Sequence, residues 1–473
     1  MQRRKFIKSA AATTAAFSIV PSFVLGKNHV APSDTLYMAG IGIGGRGAGV
    51  IRELTNTKKV KFVALCDVDK RQIEASTSLH PKAKFYQDFR KVHDKHLSEI
   101  DAICVGTPDH THATIALPFM KDKKHAYVEK PLAHNLHETR MMTRIAKENG
   151  IVTQMGNQGA SGDGTQQIKE WINAGVIGDV YKVDCWTNRP VWPQGIATPT
   201  GKSPIPKELD WDLWLGPAAM RDYNPAYLPF KWRGWWDFGT GALGDMGCHI
   251  MEAPVTALNL GYPTEAEASC TNVWVGDFNE ADYADSCPPS SIVRLKFDSE
   301  THGKIDLNWY DGGLMPDLPD ELREGDTIGD WGGGTVFYGT GGILACDTYA
   351  NNPRLLPGSK MDLFTAPAPT LTRVPGGSSG HAGNFVDGCL TGSDTTSNFK
   401  KAGFLTEAVL MGNLAIKAYQ HKVLKEGAEP GGWAPYNYPG RRKIIWDGAN
   451  MKVTNFELAN QWVKGHYRKG WEL

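Results

Sequence analysis

The stretch Leu36–Gly47, "LYMAGIGIGGRG", is an apolar run that halts at Gly42-x-Gly44-x-x-Gly47 and passes at once into "AGVIRELTN" (48–56), with apolar residues at helical spacing. It reads as strand, tight turn and helix. The first glycine permits the turn, the second lets backbone approach a pyrophosphate with no Cβ in the way, and the third allows close helix–strand packing. Phosphates bound there sit at the positive end of the helix, so Gly42, Gly44, Gly45, Arg46 and Gly47 are the candidate cradle. Gly40 offers a second register, so the flanking sequence has to decide.

The flanks agree with the first register. "KVKFVALCDVD" (59–69) is a second strand ending near Asp67, 25 residues after Gly42, where a carboxylate accepts from ribose hydroxyls and repels a 2′-phosphate. NAD is therefore expected over NADP, with Lys70 and Arg71 keeping NADP open. "IDAICVGTPDHTH" (100–112) reads as a buried strand and a Thr-Pro turn, in which His110 and His112 open a helix or cap it. "HAYVEKPLA" (125–133), the helix-like "LHETRMMTRIAKENG" (136–150) and "IVTQMGNQG" (151–159) continue the alternation. Strands alternating with helices predict a doubly wound parallel sheet, whose strand ends turn Thr107, Pro108, His112, Glu129, Lys130 and Asn157 toward one cofactor crevice.

Composition narrows the partners. With 473 residues the chain has room for two or three domains. Lys and Arg total 51 and so do Asp and Glu, so no summed charge draws it to nucleic acid or an anionic membrane, and a small neutral ligand is expected. The eight Cys show neither C-x-x-C nor zinc-type Cys/His spacing, and Cys66, Cys104 and Cys185 sit in apolar runs. No structural metal and no disulfide framework are expected. Several of the 15 Trp crowd into "NRPVWPQG" (188–195) and "KWRGWWDFGTG" (231–241), where flat faces beside polar forks suit a polyhydroxyl ligand. Asn188, Arg189, Trp192, Arg233 and Trp235 are the candidate sugar contacts.

At the N-terminus, Arg3-Arg4-Lys5-Phe6-Ile7-Lys8 precedes a moderately apolar Ala/Thr/Ser-rich segment to about Val24. This resembles a twin-arginine signal covering 1–26, too short and too polar to span a bilayer, and it predicts export to the periplasm. That route moves folded proteins, so a dinucleotide loaded in the cytoplasm travels with the chain. Such a protein is expected to hold NAD tightly and regenerate it within its own cycle.

The Gly-x-Gly-Gly-Arg-Gly turn, the Thr-Pro-Asp-His-x-His turn, Glu129-Lys130-Pro131 and "GALGDMGCHIME" (241–252), in that order, resemble the Gfo/Idh/MocA family of sugar and inositol oxidoreductases from about Ser33 to Lys422. The resemblance implies an NAD(P)-binding Rossmann domain (33–156) and a second α/β domain (157–422) with a large, open, mainly antiparallel sheet. It further implies substrate contacts and a dimer or tetramer interface on that sheet, and leaves 423–473 as a tail packed on the body. The family's motif lysine, aspartate and histidine fall on Lys130, Asp245 and His249. Asp245 and His249 stand four apart and so share a helix face. The family often carries aspartate three residues after the histidine; this chain has Glu252, to which no role is given.

The implied chemistry needs a base for a hydroxyl proton, which an imidazole tunable near neutral pH supplies, so His249 is the candidate base and a substrate contact. Lys130 would hold the developing negative charge on the same oxygen, and Asp245 would position the lysine or the sugar. Two alternatives stand beside a sugar dehydrogenase. One is a glycosidase acting by transient oxidation and elimination, although the histidine motif of such enzymes differs from "DMGCH". The other is a non-catalytic sugar-binding protein on the same scaffold.

Overall fold

The expected first sheet forms from runs buried on both faces. The computed structural model describes residues 34–429 and 432–473, so the proposed signal with Arg3 and Arg4 lies outside the described residues. β1 (Leu36–Ile41), α1 (Gly45–Asn56), β2 (Val60–Cys66), β3 (Lys84–Tyr86), β4 (Ala102–Val105), α2 (His112–Lys121), β5 (His125–Val128), α3 (Leu136–Asn149) and β6 (Thr153–Met155) follow one another. Their strands pair in the order β3-β2-β1-β4-β5-β6, all parallel. β4, "AICV", is buried at every position, as a strand covered by helices on both sides must be. The strand order reverses between β1 and β4, and a doubly wound sheet opens its ligand crevice at the carboxyl ends there.

The second sheet is mixed and mostly antiparallel. Its elements, with those packed on it, are β7 (Val180–Thr187), α4 (Trp211–Leu215), α5 (Gly241–Ile250), β8 (Glu265–Cys270), β9 (Ser291–Ser299), β10 (Gly303–Tyr310), β11 (Gly333–Gly339), β12 (Gly342–Asp347), β13 (Arg354–Leu356), α6 (His381–Thr391), α7 (Phe399–Gln420), β14 (Ile444–Asp447) and β15 (Lys452–Val453). The nine strands lie in the order β13-β12-β11-β7-β10-β9-β8-β14-β15. Among its described pairs, β7 with β10 is the parallel one. β9, "SIVRLKFDS", turns Val293, Leu295 and Phe297 inward while Arg294 and Asp298 face out, the alternation of a sheet covered on one side.

Two helices tie the sheets together. α6 lays Ala382, Phe385 and Val386 against Met38, Val50, Ile51 and Leu54, so a helix from late in the chain completes one face of the first sheet. The segment 404–420 reads as amphipathic from sequence, but in α7 Thr406 and Glu407 are buried along with the apolar positions. The buried Glu407 carboxylate is paired: Arg140 of α3 donates to it at 2.5 and 2.9 Å, and Trp446 Nε1 of β14 at 2.9 Å. Residues beyond 422 do more than pack as a tail, since β14 and β15 extend the sheet at its β8 edge. Among the described residues no helix is long and apolar enough to cross a membrane.

Candidate active site

The glycine loop closes on itself. Gly42 has φ +74°, and a Cβ there would lie 2.5 Å from the Thr107 side chain, while one on Gly47 would lie 1.8 Å from the Gly42 carbonyl oxygen. Neither position accepts a larger residue. Gly44 caps α1 without a side-chain bond, which leaves the first-turn amides of that helix for an anion. Asp67, just past β2, accepts from the Ile43 and Gly44 amides at 2.9 and 3.1 Å with one oxygen and from the Asp69 amide at 2.9 Å with the other. Burial pushes its carboxyl up to about 6 against those three donors. Arg71, the residue that kept NADP open, is turned onto Asp69 through two 2.7 Å bonds.

Gly42, Gly44, Gly45, Arg46, Asp67, Thr107, Pro108, Glu129 and Lys130 line one crevice of about 280 Å³, open to solvent at its mouth. Arg46 spans it, donating to Glu129 at 2.9 Å and to Glu53 at 2.7 Å. Three of the expected cofactor residues do not reach this wall. Gly47 backs the loop. His112 is fully buried, with its ring nitrogens 2.8 Å from the Pro131 carbonyl and 2.9 Å from the Thr107 carbonyl, so it joins the two turns that flank the crevice. Asn157 is equally buried, donating to Glu252 at 2.8 Å and accepting from Ser397 at 2.5 Å. Glu252 thus acquires a structural partner, and burial pushes its carboxyl up to about 7.

At the other end of the crevice three charges converge. Lys130 Nζ donates to the Asp245 carbonyl at 2.6 Å and to its carboxylate at 2.8 Å, and Arg233 Nε reaches the same carboxylate oxygen at 3.3 Å. Burial alone would raise Asp245, yet Lys130 and Arg233 bring it down to about 2. Lys130 and Arg233 are on the crevice wall, with Asp245 held behind them.

His249 lies one helical turn further along α5, 6 % exposed and not on that wall. Its ring stands edge-on to Tyr349 with centroids 4.7 Å apart, and its Nδ1 is buried with no hydrogen-bond partner among the described residues. Burial, reinforced by the Lys130 charge, holds its pKa well below the usual 6.5, so the imidazole is neutral at pH 7. Tyr349 and Ala350 both sit at φ +61°, a left-handed conformation that costs energy for residues with a Cβ. Nothing in "DTYANN" (347–352) marks Tyr349 for the site; only the fold brings it to His249.

The sugar contacts expected from composition mostly belong to packing. Of the five, Arg233 alone lines the crevice, joined there by Phe230 and Trp232, whose rings lie 4.6 and 4.3 Å from its guanidinium. Trp235 is 1 % exposed, donates to the Ala226 carbonyl at 3.0 Å and packs on Tyr227. It holds together an aromatic core with Trp211, Trp214, Tyr223 and Phe238 that fixes the 209–238 segment in place. Trp192 is buried, its Nε1 spent on Gln194 at 2.9 Å. Asn188 and Arg189, at the end of β7, lie off the crevice wall, with Arg189 5.2 Å from the Trp331 ring.

Comparison with known proteins agrees with this architecture. Residues 37–157 match the model of an oxidoreductase family with an NAD-binding Rossmann fold, and residues 162–268 match the model of that family's C-terminal alpha/beta domain. A glycosyl hydrolase family 109 protein of Shewanella sp. (strain ANA-3) is 26 % identical over 205 residues, 38 % of this chain and 44 % of the relative. Inositol 2-dehydrogenase of Salmonella typhimurium (strain LT2) is 28 % identical over 153 residues, 32 % of this chain and 45 % of the relative. The chain therefore matches less than half the length of these curated relatives.

Among solved structures, a levoglucosan dehydrogenase in complex with NADH and L-sorbose superposes with a TM-score of 0.54 at 15 % identity, over 81 % of this chain and 97 % of that one. The WlbA dehydrogenase of Bordetella pertussis, in complex with NADH and UDP-GlcNAcA, does so with a TM-score of 0.52 at 16 % identity, over 81 % and 97 %. At that identity the likeness is one of fold. Both modules of the Gfo/Idh/MocA family of oxidoreductases are matched in order over residues 37–157 and 162–268, the first with an NAD-binding Rossmann fold, on a six-stranded parallel sheet followed by a mixed one.

Proposed function

We propose that the protein is an NAD-dependent oxidoreductase acting on a hydroxyl of a sugar or glycoside, and that it keeps its NAD and recycles it within its own cycle. The observation that carries this reading is Lys130 at the end of the dinucleotide crevice, its ammonium fixed on Asp245 at 2.6 and 2.8 Å. When bound, the nicotinamide supplies the acceptor for a hydride from the carbinol carbon. Lys130 has spent two of its three N–H donors on Asp245 and offers the third to the substrate oxygen, where it stabilises the negative charge that develops. His249, neutral because it is buried beside Lys130, accepts the hydroxyl proton. Arg233, with Phe230 and Trp232, offers donors and flat faces for the remaining ring hydroxyls and carbons.

A second reading is favoured by the family 109 glycosyl hydrolase relatives. Oxidation at C3 of a glycoside acidifies the C2–H, and loss of that proton expels the aglycone from C1 and leaves a C1–C2 enone. Water adds back with its hydroxyl at C1 and a proton at C2, and return of the hydride to C3 restores the cofactor. Both readings suit an exported protein that leaves the cytoplasm folded with NAD aboard and works as a homo-oligomer, and both are part of the proposal. Incubating the purified protein with a panel of sugars and aryl glycosides tests them. Accumulation of NADH supports the dehydrogenase, whereas release of free aglycone with only catalytic NAD supports the glycosidase. Neither outcome, in a folded sample supplied with NAD, would sink the enzymatic reading.

A further inference from the structure

The crevice continues beyond the glycine loop and Asp67. Its wall also takes in Gln87, Asp88, Phe89 and Ile115, together with Leu213 and Trp214 of α4 and Trp471 of the C-terminal segment. Contacts put the polar stations in an order: Lys130 adjoins Glu129, which Arg46 at the helix N-terminus reaches; the Ile43 and Gly44 amides beside that terminus reach Asp67; and Val68 and Asp69 just beyond pair with Asp210 and Leu209 at the start of α4. Along an extended dinucleotide that order matches nicotinamide, pyrophosphate, adenosine ribose and purine.

Two of the closing elements are foreign to the first sheet. Trp471 is buried, its ring 6.2 Å from that of Phe89, with the Arg90 guanidinium 4.8 Å from its centroid. Trp214 stacks on Trp211 with centroids 4.9 Å apart and planes 12° from parallel. The segment carrying Trp471 is fastened to α4 and the residue that ends it by Arg468. Its Nε donates to the Gly216 carbonyl at 3.0 Å and its Nη2 to the Asp212 carbonyl at 2.8 Å, and it forms an ion pair with the Asp212 carboxylate. Tyr467 adds a 2.8 Å bond to Glu138. These bonds hold the Trp471 ring on the crevice wall.

We infer that the C-terminal segment is a cofactor clasp, with Trp471 covering the purine of NAD and Arg468 holding the clasp shut. The inference rests on the NAD reading of the crevice and adds the element that would keep NAD from leaving. Covering a purine face with an aromatic ring strengthens binding substantially, and its removal by alanine weakens it by about 10- to 100-fold.

The test compares wild type, Trp471→Ala, Trp471→Phe and Arg468→Ala, all full length, titrated with NAD, ADP-ribose and nicotinamide mononucleotide by calorimetry. Thermal unfolding of each variant confirms a folded sample. Trp471→Ala is expected to raise Kd for NAD and ADP-ribose by about 10- to 100-fold while leaving that for nicotinamide mononucleotide in place. Trp471→Phe should recover most of the loss. Arg468→Ala, which leaves every residue of the crevice wall in place but removes the anchor beneath Trp471, should speed NAD release. If Trp471→Ala binds ADP-ribose as tightly as wild type, or weakens all three ligands equally, the clasp is wrong although NAD binding stands. Wild-type protein that binds neither NAD nor ADP-ribose overturns the cofactor reading itself.

Discussion

Lys130 is the residue on which the chemistry turns, because it alone among the three motif residues lies on the crevice wall. Replacing it with methionine removes the donor to the reacting oxygen while keeping the length of the chain. Lys130→Met should lower kcat by about 10²- to 10³-fold, the usual loss when one charge-stabilising donor is removed, with NAD still bound. His249 makes a pH prediction. A base works when unprotonated, and burial together with the Lys130 charge puts its pKa well below 6.5. The acid limb of kcat/KM should therefore fall below pH 6.5, and a limb at or above that value in a profile down to pH 4.5 would contradict His249 as the base.

Asp67 titrates above the ordinary carboxylate range because it is buried. Raised to about 6, its carboxyl becomes protonated as pH falls through that value, and it then accepts ribose hydroxyls poorly. Calorimetric titration should show Kd for NAD rising below pH 6. At this scale the places of Gly42, Gly44 and Asp67 on the crevice wall were legible from spacing, and that of Lys130 from its position at a strand end, because backbone geometry dictates them; Asp245 came only from the family resemblance. Trp192, Trp235, His112 and Asn157 were misread for one reason. A buried indole or amide with its polar atom paired has the same local sequence as an exposed one, and only the fold says which it is.

Among the elements, the loop before α1 has the least tolerance. Gly47→Ala would set a methyl 1.8 Å from the Gly42 carbonyl oxygen, so the loop or the helix must shift. The expected cost is about 1–3 kcal/mol, read as a lower denaturation midpoint, together with loss of NAD binding. α7 shows where periodicity fails. Thr406, Glu407 and Asn413 look like a polar face, but each is buried, and the hydroxyl, carboxylate and amide bond Met155 and Leu132, Arg140 and Trp446, and Thr240 respectively. Arg140→Leu would leave the Glu407 carboxylate buried with one neutral donor. It should cost about 3 kcal/mol or more in chemical denaturation, as breaking a buried pair does. β1, β2 and β4 were readable from sequence because continuous apolar runs bounded by turn residues have few other homes.

Across the whole molecule the two sheets do not stand as separate bodies strung in order. α6 completes the first sheet from the far side of the second, Arg140 and Glu407 lock α3 to α7, and Trp471 returns to the dinucleotide crevice. Such exchanges join residues hundreds of positions apart, beyond the reach of any local pattern, and so the sequence showed two modules without showing how they interlock. The arrangement suits the proposed retention of the cofactor. The most direct measurement follows from that. Protein purified without added NAD is mixed with candidate sugars, and the near-ultraviolet absorbance of reduced nicotinamide is recorded. The account predicts that wild type arrives with NAD bound and that an oxidisable sugar reduces up to one equivalent per chain, while Lys130→Met arrives equally loaded and gives no such change. A folded wild-type protein that carries no NAD, takes up none when it is supplied, and shows no reduction with any sugar would contradict it.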